Sequence, residues 1–287
     1  MKRILITGGK GLVGRTLNTL LTPYYKTYAL GREQLDITNK EHVRKIIRLI
    51  RPDYIIHLAA FTQVDLCEKK SQACYQVNVK GTKHIIDTAQ MVHAKLIYLS
   101  TDYVFDGEKH TPYTETDPKN PVNYYGHTKS LAEDLIQKEL SEFFIIRPAW
   151  IFGETKRNFI HLVVELAEKE ETLKFVSDQI STPTYAVDLS YFIKFLIDNE
   201  PGEYGIYHYT NEGEASRFEE AQYILDKLGY DNNLIPVSQK EFKAPAQRPA
   251  YSVLSKDKVK RVFGLKPRHW KEAMDECLAR LFPDKML

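Results

Sequence analysis

Short runs of apolar and β-branched residues alternate along this chain with longer segments whose apolar residues recur at helical spacing. Ile4 to Ile6 is the first run, and Leu12, Val13, Leu17, Leu20 and Leu21 then fall on one helical face. The same reading predicts a strand over Thr27 to Leu30, a helix over His42 to Ile50 and a buried strand over Tyr54 to Ala60. Pro52 separates the last two, since proline cannot continue a helix. Val64 opens a long helical segment running through Val77, Asn78 and Gly81 to about Val92. Lys95 to Leu99 is the next strand, a helix begins near Tyr125, and Phe143 to Ile146 is a further strand. Strand alternating with helix through residue 150 predicts an α/β fold: a doubly wound parallel sheet of the Rossmann type.

Beyond residue 150 the rhythm breaks. Asn158 to Lys169 reads as a helix, Leu173 to Val176 as a strand and 178–184 as a turn-rich segment. Tyr185 to Ile197 is again helical and Ile206 to Tyr209 extended, and both are expected to rejoin the sheet. A helix (Arg217 to Leu228), an extended piece (Leu234 to Val237), a basic loop with Arg248 and two terminal helices follow. The expected division is a dinucleotide-binding part, 1–150 with about 185–210, and a small C-terminal substrate-binding lobe, 151–184 with 211–287. No internal repeat or low-complexity linker interrupts it.

Composition narrows the function. A 43% hydrophobic and 27% charged chain of 287 residues is an ordinary globular enzyme in its balance. A net charge of +2 supplies no basic field for nucleic acid or an anionic membrane. Cys67, Cys74 and Cys277 lack metal-ligand spacing and read as packing residues in a reducing compartment. The nine histidines form no H-x-x-x-H pair, so no metal is expected. The basic start before Ile4 leads straight into glycines, too short for a signal-peptide core, and reads as the first strand of a cytoplasmic protein.

Candidate chemistry gathers at the C-terminal ends of the strands, where open α/β sheets bind ligands. Gly8, Gly11 and Gly14, with Leu12 and Val13 between them, lie between a strand and a helix. In that context glycines let backbone approach a pyrophosphate, and the helix N-terminus offers it free N–H groups. Arg32 stands where the second strand ends, the place at which an arginine accommodates the 2′-phosphate of NADP. This favours NADPH over NADH. Asp36 and Ile37 are placed to border the adenine, and Ala59, Ala60 and Phe61 end the third strand beside a flat cofactor. Asn78 is a polar amide on an apolar helix, suited either to bridging backbone or water near the site or to being capped locally. The fourth strand ends in Ser100, Thr101 and Asp102. Tyr125 and Lys129, four apart on one helical face, pair a phenol with an ammonium that lowers its pKa, a proton donor in waiting. Tyr223 and Lys227 repeat that spacing with no strand end before them, and read as a core tyrosine and a solvated lysine.

Glycine turn, hydroxyl-bearing strand end and Tyr-x-x-x-Lys together resemble the extended short-chain dehydrogenase/reductase superfamily. Nearly the whole chain resembles the dTDP-4-dehydrorhamnose reductase family. The matching motifs are G-G-K-G-L-V-G at 8–14, A-A-F-T-x-V-D-x-x-E at 59–68, S-T-D-Y-V-F-D-G at 100–107, Y-x-x-x-K at 125–129, R-P-A-W-I-F-G at 147–153, D-Q-x-x-x-P-T at 178–184 and Q-R-P-x-x-S at 247–252. Two positions depart from the family pattern: Ser181 stands where glycine is common, and Phe61 where a smaller or more polar residue is common.

The resemblance implies NADPH-dependent reduction of the C4 ketone of dTDP-4-dehydro-L-rhamnose, the last step toward dTDP-L-rhamnose for bacterial surface polysaccharide. It implies Tyr125 as proton donor, Lys129 on the nicotinamide ribose and Thr101 on the ketone oxygen, with Ser100 the alternative hydroxyl. Arg147 joins the expected cofactor contacts, and Asp102, Trp150, Gln179 and Arg248 the expected substrate contacts, Arg248 on the diphosphate. Competing readings are a sugar-nucleotide epimerase and an NADP-binding regulatory subunit similar to the β subunit of methionine adenosyltransferase. A monomer and a homodimer are both compatible with the sequence.

Overall fold

The computed structural model describes residues 1–285. Six parallel strands form its central sheet, in the spatial order Gly205–His208, Phe143–Arg147, Lys95–Leu99, Tyr54–His57, Arg3–Thr7 and Lys26–Leu30. The order runs outward in both directions from Arg3–Thr7 and Tyr54–His57, which is the doubly wound arrangement. Helices cover both faces. On one, Leu12–Leu21 and Ala186–Asn199 bury Leu17, Leu21, Phe192 and Ile193 against Ile4, Ile6 and Ile56. On the other, Lys40–Ile50 and Thr82–Val92 bury Val43, Ile47, Ile85 and Ile86 against Leu5, Ile55 and Leu96.

A second apolar core lies apart from the sheet. Phe152, Ile160, Val163, Leu173 and Tyr185 meet Ile224, Trp270, Met274 and Leu278 there. Three two-stranded pairings brace this part: Thr172–Val176 with Asn233–Val237, Ile180–Ser181 with Ala215–Ser216, and Ile151–Phe152 with Thr184–Tyr185. The segment expected to be turns at 178–184 therefore carries two short strands. Asp257–Phe263 does not join the second core; Val259 and Phe263 pack on the sheet-side core beside Phe192 and Tyr207.

The long helix expected from Val64 to Val92 is broken. It runs as Val64–Lys69 and Ser71–Tyr75, widens into a π turn over Gln76–Gly81, and resumes as Thr82–Val92. A π turn swings a side chain off the regular helical face, and the residue it carries toward the sheet edge is Asn78.

Arg147, expected at the cofactor, is instead a structural cation. It is 1% exposed, and its guanidinium donates to both oxygens of the fully buried Glu133 at 2.9 and 2.6 Å. His208 Nε2 lies 3.2 Å from Arg147 Nη1, so the network joins helix Tyr124–Glu139 to two strands. Replacing Glu133 by Gln strands a buried guanidinium, and a half-removed buried ion pair typically costs about 3–5 kcal/mol. Glu133→Gln should lower the urea midpoint by the equivalent of about 3 kcal/mol, with the slope of the transition unchanged.

Candidate active site

A cleft of about 670 Å³ opens along the C-terminal edge of the sheet. The glycine turn forms one end. Gly8 has a left-handed backbone (φ +67°), and a Cβ on Gly14 would stand 2.5 Å from the Gly8 carbonyl oxygen, so neither position accepts a side chain. Gly11 and the start of helix Leu12–Leu21 line the cleft beyond them. Arg32 lines it and is exposed, with no partner among the described residues. The neighbouring Glu33 carboxylate is paired with Lys10 and leaves Arg32 alone. Asp36 lines the cleft as well, but its carboxylate accepts from the Thr38 N–H and hydroxyl at 2.9 and 2.7 Å, which holds its pKa below the usual range. Ile37 borders it there.

Hydrogen bonding in the third strand's ladder stops at His57. Leu58 and Ala59 turn away, their N–H groups donating to the Thr7 hydroxyl at 3.2 and 3.1 Å. Ala59, Ala60 and Phe61 then form the cleft wall. Asn78 does not line the cleft; it fixes that wall from behind. Its Oδ1 accepts from Phe61 N–H at 2.7 Å, and its amide donates to Phe61 O at 3.2 Å and to Thr128 Oγ1 at 2.9 Å. Thr128 in turn donates to the Tyr125 carbonyl at 2.8 Å.

At the other end Ser100, Thr101, Asp102 and Tyr125 converge. Thr101 Oγ1 accepts from Tyr103 N–H at 3.2 Å and donates to Asp102 Oδ1 at 3.0 Å, which fixes the strand end in an extended turn. Lys129 lies behind the wall, 2% exposed, donating to Leu99 O at 2.6 Å with its ammonium 4.0 Å from the Tyr98 ring centre. Burial pulls its pKa down to about 7, opposed by the charges of Glu133 and Cys74. Burial also drives the Tyr125 phenol well up, and the charge of Asp102 adds to this while the Thr101 hydroxyl opposes it. The phenol is thus held protonated rather than tuned toward neutrality as the Tyr-x-x-x-Lys spacing led us to expect. Burial is the main reason, and the ammonium meanwhile donates to the Leu99 carbonyl.

Asp102 is the other unusual acid. It is 2% exposed and takes hydrogen bonds from Ser252 at 2.6 Å and Ser181 at 3.4 Å as well as from Thr101. Burial raises its pKa to about 6, and the Ser252 and Thr101 hydroxyls, its own backbone and the charge of Arg217 only partly oppose it. Ser181 therefore contributes a hydroxyl that a glycine would lack, and its strand position is kept.

Trp150 lines the cleft with a left-handed backbone (φ 44°). Thr184 holds it there: its N–H donates to the Trp150 carbonyl at 3.1 Å, and its hydroxyl donates to the Ala149 carbonyl. Two residues expected at the substrate are not part of the cleft lining, although Arg248 lies against Tyr103, which is. Gln179 is buried outside the cleft lining. Arg248 forks onto Asp65 at 2.6 and 2.8 Å and donates to Ala246 O. Tyr103, Lys156, Arg157 and Asn158 line the cleft without having been singled out in the sequence. Tyr103 lies inside the motif S-T-D-Y and was legible there; the other three follow a motif rather than belonging to one. The second Tyr-x-x-x-Lys is a clasp: Tyr223 and Lys227 both bind Asp275 of the last helix, at 2.7 and 3.0 Å.

A family model described as RmlD substrate binding domain matches residues 1–282. The chain belongs to this family. The spore coat polysaccharide biosynthesis protein SpsK of Bacillus subtilis is 37% identical over 97% of each chain. A dTDP-4-dehydrorhamnose reductase of Aggregatibacter actinomycetemcomitans is 36% identical over 97% of this chain and 99% of its own. Among solved structures, the dTDP-4-dehydrorhamnose reductase of Bacillus anthracis in complex with NADP superposes with a TM-score of 0.94 at 37% identity, covering 97% of this chain and 99% of that one. The RmlD family thus accounts for the whole of the described fold, sheet and second core together.

The buried Asp102 couples site chemistry to stability. Its folded pKa of about 6 lies above the 3.8 of an ordinary aspartate, so between those values the folded form binds more protons than the unfolded one. Its contribution is fully present below pH 3.8 and lost as pH rises through about 6. Thermal melting across that window should show native stability falling relative to Asp102→Asn as pH rises. Parallel curves for the two proteins would refute the buried-acid assignment.

Proposed function

We propose that this chain reduces the C4 ketone of dTDP-4-dehydro-L-rhamnose with NADPH, giving dTDP-L-rhamnose for surface polysaccharide. One observation carries the reading: a single cleft holds the glycine turn and Arg32 at one end and the Thr101 and Tyr125 hydroxyls with Trp150 at the other. The reductase activities named for RmlD-family relatives and the NADP bound in the B. anthracis protein agree with it. We assign cofactor binding to 1–150 with about 185–210, and substrate binding to 151–184 with 211–287, of which 257–263 leans back on the sheet. The same reading makes the protein a cytoplasmic enzyme acting on a small nucleotide sugar. No described helix is long and apolar enough to cross a membrane.

The residues present fit the cofactor. Ser100 lines the cleft while its buried hydroxyl also bears on the Glu133 carboxylate behind it, and the glycine turn supplies the cradle, where a Cβ on Gly14 would close onto the Gly8 carbonyl. Gly8, Gly11 and Gly14, with Leu12 and Val13, would hold the pyrophosphate, and Arg32 the 2′-phosphate. Ala59, Ala60 and Phe61 would flank the dinucleotide, with Asp36 and Ile37 at its adenine end. When bound, NADPH supplies the hydride.

The chain's own residues supply the proton and the alignment. Tyr125, held as a neutral phenol, gives its proton to the ketone oxygen as that oxygen gains charge. Thr101 donates to the same oxygen by exchanging its bond to Asp102. The Lys129 ammonium, buried behind the wall, stabilises the phenolate left on Tyr125. Trp150 offers a flat face to the sugar.

NADPH oxidation by purified protein with dTDP-4-dehydro-L-rhamnose tests the reading, and its absence with that substrate would refute it. Tyr125→Phe should lower kcat by about 10²–10⁴, the range for removing a positioned general acid, with NADPH affinity retained. Arg32→Ala should lower kcat/KM for NADPH by about tenfold or more while leaving NADH nearly unaffected, since a charge-assisted hydrogen bond to the phosphate is worth about 1.5–3 kcal/mol. Equal losses with both cofactors would remove Arg32 from the 2′-phosphate.

A further inference from the structure

Arg248, the residue whose motif pointed to the diphosphate, has its fork occupied. Both terminal nitrogens bind the Asp65 carboxylate, and Nη1 also donates to Ala246 O. Arg157 at the cleft rim is likewise paired, to both oxygens of Glu165 at 2.9 and 2.7 Å. A substrate diphosphate would have to break a two-point ion pair to reach either.

Arg217 is differently placed. Its guanidinium lies 3.6 Å from the centre of the Trp150 ring and 4.6 Å from that of Phe159. Arg217 does not itself line the cleft, but its positive charge reaches the substrate end, where it favours the ionised form of Asp102 and, with Arg248, that of Tyr103. Stacking uses the faces of a guanidinium and leaves its in-plane N–H groups available. One of them, on Nη1, donates to Glu220 at 2.6 Å. Nε and Nη2 have no partner among the described residues. Glu220 is fully buried with its second oxygen unpartnered, so it anchors the arginine from beneath.

Two features show that the side chain, not the helix it starts, would do the binding. Arg217 is the first residue of helix Arg217–Leu228, but the helix N-terminus is closed by a capping box. Ser216 Oγ accepts from Glu219 N–H at 3.0 Å, and Glu219 Oε2 accepts from Ser216 N–H at 2.7 Å. The side chain is 24% exposed, so it is held in place and still open to solvent.

Building on the reductase reading, we propose that Arg217, stacked on Trp150 and anchored by Glu220, is the residue that grips the diphosphate of the nucleotide-sugar substrate, and that Arg248 serves to hold its loop on Asp65. The strained Trp150 backbone then has a second purpose. It presents one ring to both the sugar and the guanidinium, so that sugar and diphosphate are positioned by a single rigid unit.

Titration calorimetry with dTDP, UDP and GDP, on protein saturated with NADP, tests this. Arg217→Gln should weaken binding of the preferred diphosphate by about 10- to 100-fold, the size of a lost charge-assisted contact. Arg217→Lys, which keeps the charge and the Glu220 pair but loses the fork, should weaken it by a smaller factor. The NADP dissociation constant reports folding in each variant and should not move. Arg248→Gln should cost less diphosphate affinity than Arg217→Gln. Unchanged affinity in both Arg217 variants, or a larger loss in Arg248→Gln, would overturn the assignment. Native protein that prefers UDP or GDP would refute dTDP as the nucleotide while leaving Arg217 to be judged on the diphosphate that binds. Native protein that binds none of the three would sink both readings.

Discussion

The geometry of the cleft depends on one side-chain amide. Asn78 satisfies both backbone groups of Phe61 and reaches Thr128 on the helix that carries Tyr125 and Lys129. The wall beside the expected dinucleotide and the helix bearing the expected proton donor are thereby held at a fixed separation. A regular helix through residue 78 would not serve. The π turn over Gln76–Gly81 carries Asn78, whose amide reaches the end of the third strand. Catalysis that relies on alignment of a hydride and an acid is sensitive to displacements well under an ångström. An amide with all its main bonds made is a stiff way to set that distance.

Three titratable groups crowd the far end of this cleft, and burial moves each toward its neutral form. Tyr125 is held as a phenol, Lys129 is drawn down to about 7, and Asp102 is raised to about 6. Of the three, only Tyr125 is held firmly in its neutral form near pH 7, since Asp102 and Lys129 titrate close to that pH. A phenol with a high pKa is a poor acid toward water but a good hydrogen-bond partner for a ketone. In the proposed reaction it would release its proton only as the ketone oxygen becomes strongly basic with the arriving hydride, and the lysine behind the wall would then have an anion to stabilise. The structural ion pair of Arg147 and Glu133 makes the contrast plain: there two-point hydrogen bonding outweighs burial and keeps the Glu133 pKa below the usual carboxylate range.

The sheet and its order were legible because each strand is a compact apolar run and each covering helix has a one-sided stripe. The ends of elements were less so. The ladder at Tyr54 stops at His57 although apolar residues continue, because the Thr7 hydroxyl captures the next two N–H groups. That competition is between residues about fifty positions apart and leaves no mark in local periodicity. Gly8, Thr101, Tyr125 and Trp150 were found from motifs, and they share a cleft. Arg147 misled for a physical reason: a motif arginine at a strand end looks the same whether its partner is a phosphate or a buried glutamate ten or more residues back. The π turn was invisible because its residues have ordinary helical composition.

Arg217 shows most clearly what a linear reading lacks. In sequence it is the first residue of an amphipathic helix, a place where a charged side chain draws no notice. Its significance comes from Trp150, whose left-handed backbone turns the ring toward it, and that conformation is imposed by Thr184 through bonds to the backbone on either side. The motifs R-P-A-W and P-T are therefore one structural device divided between two segments. Thr184 fixes the backbone, the backbone aims the tryptophan, and the tryptophan seats the arginine. A cation stacked in this way gives up little side-chain entropy on meeting an anion, because its rotamer is already set. Arg248, by contrast, must first leave a carboxylate. The affinity available to a diphosphate is larger where the protein has already paid for order than where it has already made the bond.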